Sequence, residues 1–320
     1  MEKLDKKDWK ILYQLDLNSR QSNSEIGKKV GLSKEVVNYR INNLMKKGII
    51  KGFYTIIDTS KLGYLSCRFF LKFQKISPEK ESEIIDYFTR LPYTWWVPSM
   101  DGARDLGVVL WAKDTYEFHK IKEDALNKYR PYIKEIVPGI YSRFHIFKRA
   151  YLIKKEINEE QPIVSTKGGN VKYDKTDLRI LRTICDNARA SIVDIAGNCR
   201  TTTAIIMYRL KKLEKDGVIQ GYRPIIDLGK IGHYWYKVNL ELDDFTKIPE
   251  ILKYANAHPN IVYAYEVIGG ADLELEFEVS SYEEFRKVLN KVRKRFSETI
   301  RSYEHFLFFK EHKISYMPKI

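Results

Sequence analysis

Cysteine is scarce in this 320-residue chain, with only Cys67, Cys185 and Cys199, widely spaced. No two stand at CxxC spacing, which excludes a zinc ribbon, a thioredoxin-like redox motif and a disulfide framework, and predicts a cytoplasmic protein. Long apolar runs are also missing. No stretch approaches the roughly 20 residues a membrane helix needs, so no membrane partner is expected. The opening MEKLDKKDWK is charged, and no secretory signal is expected from it. His119, His145, His233, His258, His305 and His312 are scattered without ligand spacing, so neither a metal site nor a cofactor is assigned. GxxxxGK, HExxH and GxSxG are absent, and no catalytic residue is assigned. Acidic residues are in deficit, 42 against 56 basic ones, giving a net charge of +14 that favours polyanionic partners.

The sequence is, however, written twice. Shifted by 169 residues, Asp5–Gly63 aligns with Asp174–Gly232 without a gap. Asp5 and Asp8 meet Asp174 and Asp177, Asn18-x-Arg20-x-Ser22 meets Asn187-x-Arg189-x-Ser191, and Tyr39-Arg40 meets Tyr208-Arg209. Two copies are too few for a solenoid, which leaves a covalently closed pair of modules.

Within the first copy, Ser22-Asn23-Ser24-Glu25 reads as a capping box opening a short helix that stops at Gly31. Ser33 caps a second helix, in which Val36, Val37, Ile41 and Leu44 form the expected buried stripe. Lys34, Glu35, Asn38, Tyr39 and Asn42 fall on or beside the opposite face, and Gly48 supplies a C′ stop. Such a helix-turn-helix places side chains in the DNA major groove. Gly48–Ile57 then reads as a β-hairpin, a small wing. In the second copy Arg200-Thr201-Thr202 replaces Gly31-Leu32-Ser33. Thr202 still caps, while Thr203, Ala204, Met207 and Lys211 occupy outward positions beside Tyr208. The two helices therefore need not read one base sequence. The DNA-contacting set is Ser33, Lys34, Glu35, Asn38, Tyr39, Arg40, Asn42, Thr202, Thr203, Met207, Tyr208, Arg209 and Lys211, with Arg40 and Arg209 suited to phosphate or groove contact. Residues 1–63 hold 13 Lys/Arg against 7 Asp/Glu, and residues 173–232 hold 11 against 7. These segments thus carry most of the excess charge, as phosphate binding requires.

Each helix-turn-helix precedes a strand and helix pattern in the order βαββαβ. In the first copy this is Ser66–Phe73, Glu79–Leu91, Thr94–Val97, Leu106–Trp111, Tyr116–Ile136 and Tyr141–Phe147. In the second, Leu273, Leu275, Phe277 and Val279 alternate with Glu274, Glu276 and Glu278, the pattern of a half-buried strand. Lys154–Lys172 lacks periodicity and reads as a linker. The expected fold class is α+β, with winged helix-turn-helix domains at 1–63 and 173–232, ferredoxin-like βαββαβ domains at 64–153 and 233–320, and a linker at 154–172.

The run Val30-Gly31-Leu32-Ser33…Val37…Arg40-Ile41…Leu44…Gly48-Ile49-Ile50, followed by Asp58…Lys61-Leu62-Gly63, resembles the Lrp/AsnC (feast/famine) transcriptional regulators over nearly the whole chain, twice. The resemblance implies a sequence-specific regulator of double-stranded DNA whose second domain (RAM-type) pairs sheet to sheet, forms homo-oligomers and senses a small effector. That effector, an amino acid or other metabolite, would bind near the turn between the second and third strands, here at Gly102, Asp105, Gly269 and Asp272. These turns lack the aromatic residue that the family often has before the Asp. Two alternatives stay open. Sirohaem decarboxylases look like paired modules of this family, and Arg143, His145 and Arg149 could serve a tetrapyrrole's carboxylates. A non-specific architectural DNA-binding protein also fits the charge.

Overall fold

The computed structural model describes residues 4–154, 163–165, 168–169 and 171–318. In the first copy, helices α1 (Lys6–Leu17), α2 (Asn23–Val30) and α3 (Lys34–Lys46) precede strand β1 (Ile50–Ile57). Then follow β2 (Leu65–Phe73), α4 (Pro78–Arg90), β3 (Thr94–Gly102), β4 (Leu106–Ala112), α5 (Thr115–Tyr129) and β5 (Ile133–Ile146). A short β6 (Ile163–Ser165) lies between the copies, antiparallel to the end of β5. It interrupts what the sequence suggests is linker; residues 155–162, 166–167 and 170 of that stretch lie outside the described residues. The second copy repeats the order with α6 (Lys175–Ile184), α7 (Ile192–Cys199), α8 (Thr203–Lys215), β7 (Ile219–Ile226), β8 (Tyr234–Leu242), α9 (Ile248–Ala257), β9 (Ile261–Ile268), β10 (Leu273–Val279), α10 (Tyr282–Arg295) and β11 (Ile300–Ile314).

The expected wing hairpin at Gly48–Ile57 does not form. β1 is one continuous strand, and its antiparallel partner is β7 of the other copy, with Tyr54 opposite Arg223. The run between Ile50 and Ile57 holds no two-residue turn pair, so its ladder is satisfied by the duplicate of itself. This two-stranded ribbon ties the two helix-turn-helix units into one layer over a shared core that includes Ile11, Leu44, Ile180 and Leu213.

The remaining strands close on themselves in the order β2-β4-β3-β11-β8-β10-β9-β5, with β5 returning to β2. Two long strands make the closure. β5 pairs with β2 through Ile140 and then continues along β9 to Ile146. β11 pairs with β8 from Ile300 and then crosses to β3, ending at Ile314 opposite Trp96. Each βαββαβ unit thus lends its last strand to the other. The helix expected over Tyr116–Ile136 stops at Tyr129, because Pro131 cannot continue it, and β5 begins at Ile133.

Helices α4 and α5 cover the outer face of one sheet and α9 and α10 that of the other, each over an apolar cluster. The inner faces enclose Phe70, Trp96, Met100, Tyr141, Phe306 and Phe308. β10 is therefore buried on both sides, and the expected half-buried strand is corrected: Glu274, Glu276 and Glu278 are all inside. Arg68 of the first copy pairs with Glu274, and Lys237 Nζ lies 2.6 Å from Glu274 and 3.0 Å from Glu276. Trp235 Nε1 donates to Glu276 at 2.9 Å. Two cations face two carboxylates in this enclosed group, and burial pushes the Glu276 carboxyl up despite Lys237 and Trp235.

Candidate nucleic-acid interface

Each reading helix is placed by caps at three successive helices. Asp5 caps α1 in a capping box with Asp8, Ser22 caps α2 with Glu25, and Ser33 Oγ accepts from Val36 N at 3.3 Å at the head of α3. Gly31 turns the chain between α2 and α3 with φ +68°. The second copy does the same with Asp174, Ser191 and Thr202, but Arg200 takes the left-handed conformation at φ +54° where the first copy has glycine.

Val37, Ile41 and Leu44 hold α3 to the core. Val36, expected in that stripe, is instead 40% exposed, as is its counterpart Ile205 at 42%. One residue before the core-facing Val37, Val36 lies about 100° round the helix, toward solvent. The outer face of α3 thus offers Lys34, Glu35, Val36, Asn38, Tyr39 and Asn42, and Tyr39 stands out at 71% exposure. On α8 the exposed set is Thr203, Ala204, Ile205, Met207, Tyr208 and Lys211, with Tyr208 at 68%. Both faces carry an aromatic ring; only the first carries paired amides. Hydrogen bonds from its own backbone and from Ser33 hold the exposed Glu35 carboxyl below the usual carboxylate range.

Arg40 and Arg209, expected at phosphate or groove, form ion pairs with the first helix of their own copy. Arg40 Nη1 lies 2.8 Å from both Asp5 and Asp8, and Arg209 Nη1 lies 2.8 Å from Asp174 and 3.0 Å from Asp177. Hydrogen bonds to those carboxylates raise both guanidinium pKa values. Each arginine clamps its reading helix to the cap of the copy's first helix. Asn38 is partly committed too: its Oδ1 accepts from Asn23 Nδ2 at 3.1 Å, while Asn23 Oδ1 accepts from Arg189 of the other copy at 2.9 Å.

Cross-bracing between the copies supplies residues that sequence reasoning missed. Arg20 Nη1 donates to Ala188 O at 2.5 Å, and its duplicate Arg189 donates to Ser19 O at 2.7 Å. Lys61 Nζ donates to Asp216 O at 2.7 Å, and its duplicate Lys230 donates to Lys47 O at 2.5 Å. The signal was their recurrence at one offset; their partners, carbonyls of the opposite copy, carry no side-chain identity to read. A buried group then joins this layer to the sheets. Asp16 accepts from Arg149 Nη1 and Arg223 Nε, each at 2.9 Å, and Arg149 Nε donates to Glu278 at 2.8 Å.

The two glycine turns are built tightly. Gly102 (φ +125°) packs beneath His305 O of β11, and Gly269 (φ +92°) beneath Pro138 O of β5. Asp105 accepts from Phe73 N at 2.6 Å and from Lys72 Nζ at 2.7 Å; Asp272 accepts from Leu242 N at 2.7 Å. Both carboxylates thus finish the end of a neighbouring strand. Arg143 and His145 share Glu266, at 3.3 and 2.9 Å, and Arg149 is held as described. Among the described residues no three His, Cys, Asp or Glu side chains gather as a metal site, and no helix is long and apolar enough to cross a membrane.

The fold and this face define a duplicated helix-turn-helix protein. The sequence family described as winged helix-turn-helix DNA-binding matches residues 4–51 and 173–220. An uncharacterised HTH-type transcriptional regulator of Pyrococcus horikoshii is 30% identical over 130 residues, covering 40% of this chain and 87% of that protein. The proline dehydrogenase transcriptional activator of Rhodobacter capsulatus is 30% identical over 122 residues, 36% of this chain and 77% of the activator. Both relatives correspond in length to one copy of the repeat. Across both copies, the crystal structure of the siroheme decarboxylase NirDL has the same fold, with a TM-score of 0.65 at 14% identity over 98% of this chain and 94% of that one. The chain belongs to the Lrp/AsnC family of transcriptional regulators, in a tandemly duplicated form.

Proposed function

We propose that this protein is a sequence-specific regulator that binds double-stranded DNA in the cytosol through two unequal reading helices held in one chain. The observation that carries the reading is the pair of exposed faces on α3 and α8, each anchored by an Arg–Asp clamp and cross-braced through duplicate arginines. Lys34, Glu35, Asn38, Tyr39 and Asn42 offer donors and acceptors to base edges. Thr203, Met207 and Tyr208 offer methyl, thioether and ring surface, suited to a thymine methyl, with Lys211 beside them. Selection of bound duplexes from random DNA at two salt concentrations tests it. An asymmetric motif with unequal half-sites supports the reading, and salt-sensitive retention without a motif replaces it with architectural binding.

A second reading has one specific support, the two-copy architecture shared with a siroheme decarboxylase. Against it, Arg143, His145 and Arg149 are each engaged with protein carboxylates, so a tetrapyrrole's carboxylates would have to displace Glu266, Asp16 or Glu278. Titration with sirohaem, followed by absorbance, decides it: a saturable spectral shift would favour the enzyme. An effector at Gly102, Asp105, Gly269 and Asp272 belongs to the regulator reading, as does association of chains into larger assemblies. Such an effector would compete with the strand-end amides that Asp105 and Asp272 now bind.

A further inference from the structure

A cavity of about 170 Å³ lies between β1 and the closed sheets. It is comparable to apolar protein cavities of about 150 Å³ that accept benzene, so it has room for a molecule of roughly six to ten heavy atoms. Its walls are aromatic. Trp95 stacks on Trp96 and Trp111 with centroids 6.3 and 5.8 Å apart, Trp235 lies 5.2 Å from Trp96, and Tyr54 stacks on Tyr316 at 4.3 Å. None of the residues at the two glycine turns lines it.

Asp58 also lines the cavity and is 1% exposed. Its Oδ1 accepts from Ser60 N at 3.1 Å and Ser60 Oγ at 2.6 Å, while its Oδ2 has no hydrogen-bond partner among the described residues. Burial pushes this carboxyl up despite those donors. The duplicate carboxylate explains what Asp58 lacks. Asp227 lies 3.0 Å from Lys51 Nζ, but the residue duplicating Lys51 on the other strand is Gln220, whose amide turns to Gly217 O at 2.7 Å. Asp227 thus receives a lysine ammonium from the facing strand of the other copy and Asp58 does not, leaving only the charge and backbone of Lys61 to act on Asp58 beside Ser60. A second orphan, the buried indole N–H of Trp95, also belongs to the cavity wall.

We infer that this cavity binds a small organic amine with an aromatic or apolar body, its ammonium on Asp58 and its rings or methylenes among the tryptophans. Aromatic walls and a buried carboxylate are the two features that favour a desolvated organic cation, through cation–π attraction and a charge-assisted hydrogen bond. The Trp95 N–H selects a ligand with a hydroxyl acceptor. The site stands apart from the DNA-reading proposal and is measured without DNA.

Tyramine is the probe, with p-cresol as its neutral counterpart and 3-(4-hydroxyphenyl)propionate as the anionic one. Titration of the full chain, followed by tryptophan fluorescence and calorimetry, is expected to give saturable 1:1 binding of tyramine at least about tenfold tighter than either analogue. Asp58→Asn, which keeps the acceptor for Ser60, is expected to erase that preference, while Asp227→Asn leaves it unchanged. Failure of tyramine to bind, or equal binding of p-cresol by the unaltered protein, would overturn the inference without any variant. Undiminished tyramine binding by Asp58→Asn would overturn it equally.

Discussion

Arg68 and Glu274 lie on different copies of the repeat, are both wholly excluded from solvent, and form an ion pair inside the closed sheets. Burial alone would raise the Glu274 carboxyl, but Arg68 and Lys237 outweigh it and hold that pKa below the ordinary value. Replacing Glu274 with Gln leaves two buried cations facing one carboxylate. The expected loss is about 3–5 kcal/mol, read as a lower urea midpoint at unchanged slope. A loss no greater than for an exposed carboxylate such as Glu298 would show that the pair does not hold the copies together.

His258 predicts how stability changes with acid. Burial, helped by Lys291, lowers its pKa to about 4, and its Nδ1 accepts from Asn260 N at 3.2 Å. The unfolded state therefore binds more protons than the folded state between that value and the unfolded one. The neutral ring's contribution is full above the unfolded pKa and falls away as pH drops toward about 4. Stability against thermal unfolding should fall over that window by about 2 kcal/mol, discounted for the ring's partial exposure, and His258→Gln should flatten the slope.

Arg40 separates a clamp from a phosphate contact. As a clamp on Asp5 and Asp8, its replacement by Gln should cost about 0.5–1 kcal/mol of stability and leave the salt dependence of DNA affinity unchanged. A phosphate contact would instead reduce the salt slope by about 1 with no thermal effect.

Tyr39 and Tyr208 are the most exposed rings of the two reading helices. Replacing either with Ala should leave the melting temperature within a degree or two and weaken binding to the selected site by about 1–3 kcal/mol. Because the helices differ, the two losses should fall on different half-sites in a competition assay. An equal loss on random DNA would refute base readout.

Arg200→Gly should stabilise the second helix-turn-helix by up to about 1 kcal/mol, since glycine occupies the left-handed position of the first copy and a side chain there is strained. Calorimetric melting of the variant checks it.

Local chemistry was legible in the sequence wherever the partners are close in the chain. Ser22 with Glu25, Ser33 with Val36 and the stops at Gly31 and Gly48 all involve groups within a few residues, so a cap or a left-handed turn can be read directly. The 169-residue repeat likewise announced two copies of one fold. What the copies do to each other was not legible. The pattern of β10 is that of any strand with one wet face, and only the opposing sheet turns Glu274, Glu276 and Glu278 inward. Nothing in Arg40 distinguishes a clamp from a DNA contact, because Asp5 is 35 positions away. The run of β1 gives no sign of which strand will satisfy its ladder. Sequence by itself therefore determined the helices, their caps and the duplication, which depend on short-range hydrogen bonds and apolar period. Tertiary structure decided the crossed strands, the enclosed charges and the aromatic cavity beside Asp58, because these arise only where two distant copies exclude water from the same space.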